Sequence, residues 1–105
     1  GSLLDALQRW LLKHAHLAPN LEHAAAAFTM STATLKRKLH KHGTSYQQLH
    51  DHTRLLVALY LYQIRGYSHD QVASHLRFHD VTNFRRSLKR WSGLVPSTLL
   101  AALRS

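Results

Sequence analysis

Cysteine is absent from the 105 residues, which excludes disulfides, thiolate metal sites and cysteine nucleophiles and suits a reducing compartment. A cytoplasmic setting is the expectation. Acids are scarce: Asp5, Glu22, Asp51, Asp70 and Asp80 are the full set, too scattered to pair for acid–base chemistry. With four glycines, at 1, 43, 66 and 93, there is no glycine-rich phosphate loop, and no serine sits in a nucleophile motif. An enzyme is therefore not expected, and no cofactor is implied. No segment alternates with the period of a strand. The longest apolar run, Leu55 to Tyr62, falls far short of the roughly 20 residues that span a bilayer. No signal peptide opens the chain, and no membrane partner is expected. Gly1-Ser2 reads as a cloning remnant, so a piece of a longer protein is expected.

What is present is positive charge. Lys and Arg number 14 against five acids, for a formal net charge of +9. Such an excess implies a polyanionic partner, with nucleic acid leading, and strong salt dependence. The charge is also placed. Lys36, Arg37, Lys38 and Lys41 fall in one short segment, and Arg77, Arg85, Arg86, Lys89 and Arg90 in another, where Asp80 is the lone acid. A merely solvated surface would mix the signs.

The two segments belong to an internal repeat. Ala24-Ala25, Phe28, Met30, Leu35-Lys36-Arg37 and Leu39 recur as Val72-Ala73, Leu76, Phe78, Phe84-Arg85-Arg86 and Leu88, about 48 to 49 residues later. Each copy reads as a short helix, a tight break and a second helix with a basic outer face. That pattern is a helix-turn-helix, and two in one chain suggest a clamp on duplex DNA.

Helical spacing of Leu3, Leu4, Leu7, Trp10 and Leu11 predicts a first helix that ends before Pro19. Asn20 caps a second, Leu21 to Phe28, whose alanine run Ala24 to Ala27 allows close helix approach. Ser31 caps a third, running to about His42 with Leu35 and Leu39 inward, and Gly43 ends it. A long helix follows from near Ser45 to about Arg65. Its middle is apolar on all sides, so it is expected to be covered from two directions. Ser68-His69-Asp70-Gln71 is a capping box and Asp80 caps the next helix, with Phe84, Leu88 and Trp91 recurring at i, i+4 and i+7. Gly93 closes that helix, and Pro96-Ser97 starts a last one. The expected fold is all-α with about seven helices: a helix-turn-helix subdomain over 1–44, a linker helix over 45–65 and a second subdomain over 66–105.

These residues resemble the DNA-binding domain of the AraC/XylS family of bacterial transcription regulators, from Leu3 to Leu103. The most specific stretch is Val72-Ala73, Leu76, Phe78, Asp80, Phe84, Arg86, Leu88, Lys89-Arg90-Trp91, Gly93 and Pro96. Ser31, Leu35, Arg37, Leu39, Gly43-Thr44-Ser45, Arg54, Ala58 and Leu61 support it. The resemblance implies sequence-specific control of transcription at the bacterial nucleoid, usually activation. RNA polymerase is then a candidate partner, and a sensing or dimerisation domain lies elsewhere. Where the family often has glycine in the turns, this chain has Thr29 and Arg77; a left-handed backbone there would cost about 1–2 kcal/mol. Either the turns differ or strain is tolerated.

By position, the family's base-facing sites map to Ala33, Lys36 and Arg37 in the first motif and to Val81, Thr82, Arg85 and Arg86 in the second. Arg37 and Arg86 are the strongest readers, because a guanidinium bonds guanine O6 and N7 together. Ala33 and Val81 report only shape or a thymine methyl, and Val81 is as readily buried beneath Phe84. Ser31, Thr34, Lys38, Lys41, Asn83, Lys89 and Arg90 are assigned to phosphates, which fix register without specifying sequence. Leu35, Leu39, Phe84, Leu88 and Trp91 are assigned to the core. A linker of roughly 20 residues, about 30 Å long, would act as a ruler between helices reading one duplex turn apart, about 34 Å. A purely structural linker, with one motif idle or on polymerase, is the alternative.

Ten histidines invite a metal reading. The clusters His14-Ala15-His16, His40-Lys41-His42 and His50-Asp51-His52 have a spacing of two, which points side chains apart on a helix. His75 and His79 straddle a helix break. No metal site is expected; some imidazoles are candidates for phosphate contacts that tighten when protonated. The rival function is a helical RNA-binding or protein-interaction module, although duplex RNA hides its major groove from recognition helices.

Overall fold

The computed structural model describes residues 2–104; Gly1, on which the remnant reading partly rests, lies outside them. Seven α-helices and one short 3-10 turn make up the regular structure of the described residues. In order the helices are α1 (Leu3–His14), α2 (Leu21–Ala27), α3 (Thr32–Lys41), α4 (Tyr46–Gln63), α5 (His69–His75), α6 (Val81–Ser92) and α7 (Pro96–Leu103). The chain divides into two compact units, 1–53 and 54–105, with the division inside α4.

Helix starts follow the sequence closely. Ser2, Asn20, Ser31, Ser68 and Asp80 each accept a hydrogen bond from the backbone N–H three residues on. Ser68 and Gln71 form the expected capping box. Asn20 forms another with His23, whose Nδ1 accepts the Asn20 N–H at 3.1 Å; histidine in that role was not foreseen. Four of the five acids are spent on the same task. Asp5, Glu22 and Asp70 sit in first turns, and Asp80 is a cap, where the helix dipole favours negative charge. The fifth, Asp51, lies on α4 and accepts from Gln47 Nε2 at 2.8 Å.

The first unit packs Leu7, Leu11, Ala24, Ala25, Leu35, Leu39 and Leu49 into one core, with Leu4, Trp10, Phe28 and Met30 against it. Tyr46 closes one side and donates its hydroxyl to the Pro19 carbonyl at 2.6 Å. In the second unit Ala58, Leu61, Val72, Leu76, Phe84, Leu88 and Leu99 are buried. Of the five assigned core positions, Leu35, Leu39, Phe84 and Leu88 are fully enclosed, whereas Trp91 is half-buried.

The two breaks are the same structure. After α2, Met30 N–H reaches the Ala25 carbonyl at 2.9 Å and Thr29 N–H that of Ala26 at 3.1 Å. After α5, Phe78 N–H reaches Ala73 at 2.9 Å and Arg77 N–H reaches Ser74 at 3.1 Å. Both are Schellman stops, in which a left-handed residue lets the chain turn and satisfies the last carbonyls. Thr29 and Arg77 take that conformation, at φ 52° and 64°, so the turns keep their form and the strain is tolerated. The apolar Met30 and Phe78 that follow hold each turn against its core. Thr29 is β-branched, which makes it the more strained of the two; its hydroxyl bond to the Phe28 carbonyl, 2.7 Å, offsets part of the cost. Thr29→Gly should stabilise the chain by about 0.5–1 kcal/mol, several degrees in a thermal melt. A lower melting temperature would mean that the threonine side chain holds the turn.

The linker helix is shorter than expected and less covered. It has 18 residues and ends where Gly66 turns left-handed at φ 65°. The expectation that its apolar middle is covered from two directions is met only in part, because Leu56 and Tyr60, with Ile64 just past the helix end, form an open stripe. Spaced at i, i+4 and i+8, they remain 44%, 50% and 66% exposed. The second unit's interior takes in the stripe through Ala58, Leu61 and Tyr62 instead, as one layer of packed helices covers one face.

Candidate nucleic-acid interface

On α3 the interior stripe is Leu35 and Leu39, and the opposite face carries Ala33, Lys36, Arg37, His40 and Lys41, all exposed. Arg37, Lys38, Lys41 and His42 line a surface hollow with Leu3. Lys36 and His40 line another with Leu21, Thr44, Ser45, Tyr46 and Gln47. The cations of the first motif thus divide between two hollows. His40 lies in the middle of this face, one of the residues the base and phosphate assignments passed over. Its register partner in the repeat is Lys89, which was assigned.

The α6 face is tighter. Phe84, Ser87 and Leu88 are buried, while Thr82, Arg85, Arg86 and Lys89 are exposed and line one hollow together with Pro96. Val81 is half-buried at the edge of this face, which favours its packing role. Arg90 turns towards its own helix, with Nη2 at 3.4 Å from Ser87 Oγ. Neither α3 nor α6 contains an acid, so nothing on either helix opposes an incoming anion.

Several assigned phosphate ligands also serve the helix starts. Ser31 Oγ accepts Thr34 N–H at 3.1 Å and donates to Thr34 Oγ1 at 2.9 Å. Asn83 gives its N–H to Asp80 at 2.7 Å, leaving its exposed side chain outward. Behind α6, Tyr62 OH lies 2.7 Å from His69 Nδ1. Burial pushes the Tyr62 hydroxyl up to about 12, opposed by Arg85. Burial, then Arg85, push His69 below its ordinary value against a smaller effect of Asp70. His69 is therefore neutral at neutral pH and adds nothing to the basic face. Among the described residues no group of three or more His, Asp or Glu is gathered to hold a metal ion, and no helix is long and apolar enough to cross a membrane.

The arrangement has counterparts. A family of helix-turn-helix domains matches residues 24–102. The ornithine utilization regulator of Pseudomonas aeruginosa is 37% identical over 95 residues, covering 90% of this chain and 28% of that protein. The HTH-type transcriptional regulator GadX of Escherichia coli K12 is 35% identical over 77 residues, 73% of this chain and 28% of that protein. The chain thus spans little more than a quarter of either curated relative. Among solved structures, a DNA-binding transcriptional dual regulator from Escherichia coli K-12 aligns with a TM-score of 0.87 at 26% identity, covering 99% of this chain and 94% of that one. The DNA-binding domain of the global transcriptional factor AdpA, in complex with a target DNA, aligns at 0.81 and 30% identity, covering 99% and 95%. With two capped, Schellman-turned motifs, acid-free outer helices and these relatives, the chain belongs to the helix-turn-helix domains of the AraC type.

Proposed function

We propose that this chain reads the sequence of duplex DNA through the outer faces of α3 and α6, each set in a major groove, and so regulates bacterial transcription as an activator. The observation that carries the reading is the matched pair of exposed, acid-free basic faces on the second helix of each motif. A major groove admits one helix and offers a distinct donor and acceptor pattern for every base pair. Arg37 and Arg86 read bases as bidentate donors, with Lys36, Thr82 and Arg85 beside them. Ala33 and the edge of Val81 report shape. Ser31, Thr34, Lys38, Lys41, Asn83, Lys89 and Arg90 hold phosphates, and His40 joins them. In this reading the two motifs take half-sites in adjacent turns of the duplex. The reading includes RNA polymerase as the partner of the DNA-bound protein and a sensing or dimerisation region elsewhere in the polypeptide, as relatives several times longer suggest.

Competition between duplex DNA and duplex RNA of equal length tests this class of function. The chain should prefer DNA, because the deep, narrow major groove of A-form RNA excludes recognition helices. Preference for the RNA would overturn the reading in favour of an RNA-binding module.

A further inference from the structure

Behind the second recognition helix is a feature that the first motif lacks. Phe78, Phe84 and Trp91 form a triangle of rings, with centroids 5.4, 5.9 and 6.3 Å apart. Arg54, on α4, lies over two of them, its Cζ 4.6 Å from the Trp91 centroid and 5.8 Å from that of Phe78. In the repeat these ring positions correspond to Met30, Leu35 and His42, so the aromatic seat belongs to the second copy.

Two observations mark the seat as more than filling. The Trp91 Nε1 is buried without a hydrogen-bond partner among the described residues, which costs free energy that phenylalanine would avoid. What indole offers instead is the strongest aromatic face for a cation. Arg54 also touches both parts that aim α6: Phe78 is the residue that anchors the turn after α5, and Trp91 lies in the last turn of α6. A planar guanidinium stacks on two rings in a way that a lysine ammonium does not.

We infer that Arg54 is a positioning residue for DNA reading, which fixes the pitch of α6 by stacking on Trp91 and Phe78. It acts from the inner side of α6, away from Thr82, Arg86 and Lys89, and touches no base. The inference rests on the reading of α6 as a recognition helix.

The test uses Arg54→Lys, Arg54→Met and Trp91→Phe, each assayed well below its melting temperature. The probes are a duplex selected from a random library by the parent chain and a random duplex of equal length. Arg54→Lys keeps the charge and should lose about tenfold in affinity for the selected duplex, with the random duplex changed less than twofold. The amide chemical shifts of residues 82, 85, 86 and 89 should move with it. Trp91→Phe should lose about threefold, and the double variant should be little worse than Arg54→Lys, because the two act through one contact. Should Arg54→Met fail to fold, Arg54→Lys and Trp91→Phe still decide. Unchanged discrimination and unmoved shifts would reduce Arg54 to a stabilising strut and overturn the inference alone. Equal losses on both duplexes would make it a phosphate contact, which also overturns it. A parent chain with no preference for its selected duplex would overturn the reading beneath.

Discussion

Raising the salt from 50 to 200 mM should weaken binding to the selected duplex by about a thousandfold. Nine of the 14 Lys and Arg residues lie in or beside α3 and α6, and four of the five acids are held at helix N-termini elsewhere or at the α6 cap. If about six phosphates are neutralised, log affinity falls against log salt with a slope near −5, because each neutralised phosphate releases condensed counterions. Filter binding or fluorescence anisotropy across that range measures the slope. A nearly flat response would contradict the electrostatic half of the account, since hydrogen bonds to bases alone release few ions.

The second large effect concerns discrimination. Arg37→Ala and Arg86→Ala should each cost the selected duplex about 1–3 kcal/mol, roughly 5- to 150-fold, while a random duplex loses far less. Both side chains are exposed, and the proposed reading sets them against base edges. Their removal leaves no cavity, so folding is not expected to suffer. Equal losses on the two duplexes would demote the arginines to phosphate contacts. Of the pair, Arg86 has the more concentrated setting, in one hollow with Thr82, Arg85 and Lys89, and should show the larger discrimination.

Much of this architecture is written in local chemistry. Ser31, Ser68 and Asp80 announce helix starts because their side chains bond the backbone three residues on, and the structure has those bonds. The repeat, too, survives as two identical stops at Thr29 and Arg77. That those residues would accept a left-handed backbone was undecided in the sequence, because the local preference of threonine and arginine argues against it. The packing of Met30 and Phe78 decides it. Long-range features were less visible. The exposed stripe Leu56, Tyr60 and Ile64 looks the same in sequence as the buried stripe beside it, since only neighbouring helices distinguish faces of an all-apolar segment. Arg54 on Trp91 has no period to betray it, for a cation–π contact joins residues far apart in the chain. His40 belongs to the outer face by helical spacing alone, and its register partner in the repeat, Lys89, adds it to the phosphate assignments.

The most direct measurement is a hydroxyl-radical footprint of the chain on its selected duplex, repeated with Arg85→Glu/Arg86→Glu. Two protected patches centred about one helical turn apart are expected, and the double variant should lose one of them while keeping the other. A single short patch, indifferent to the loss of charge on α6, would contradict a protein that reads DNA with both motifs.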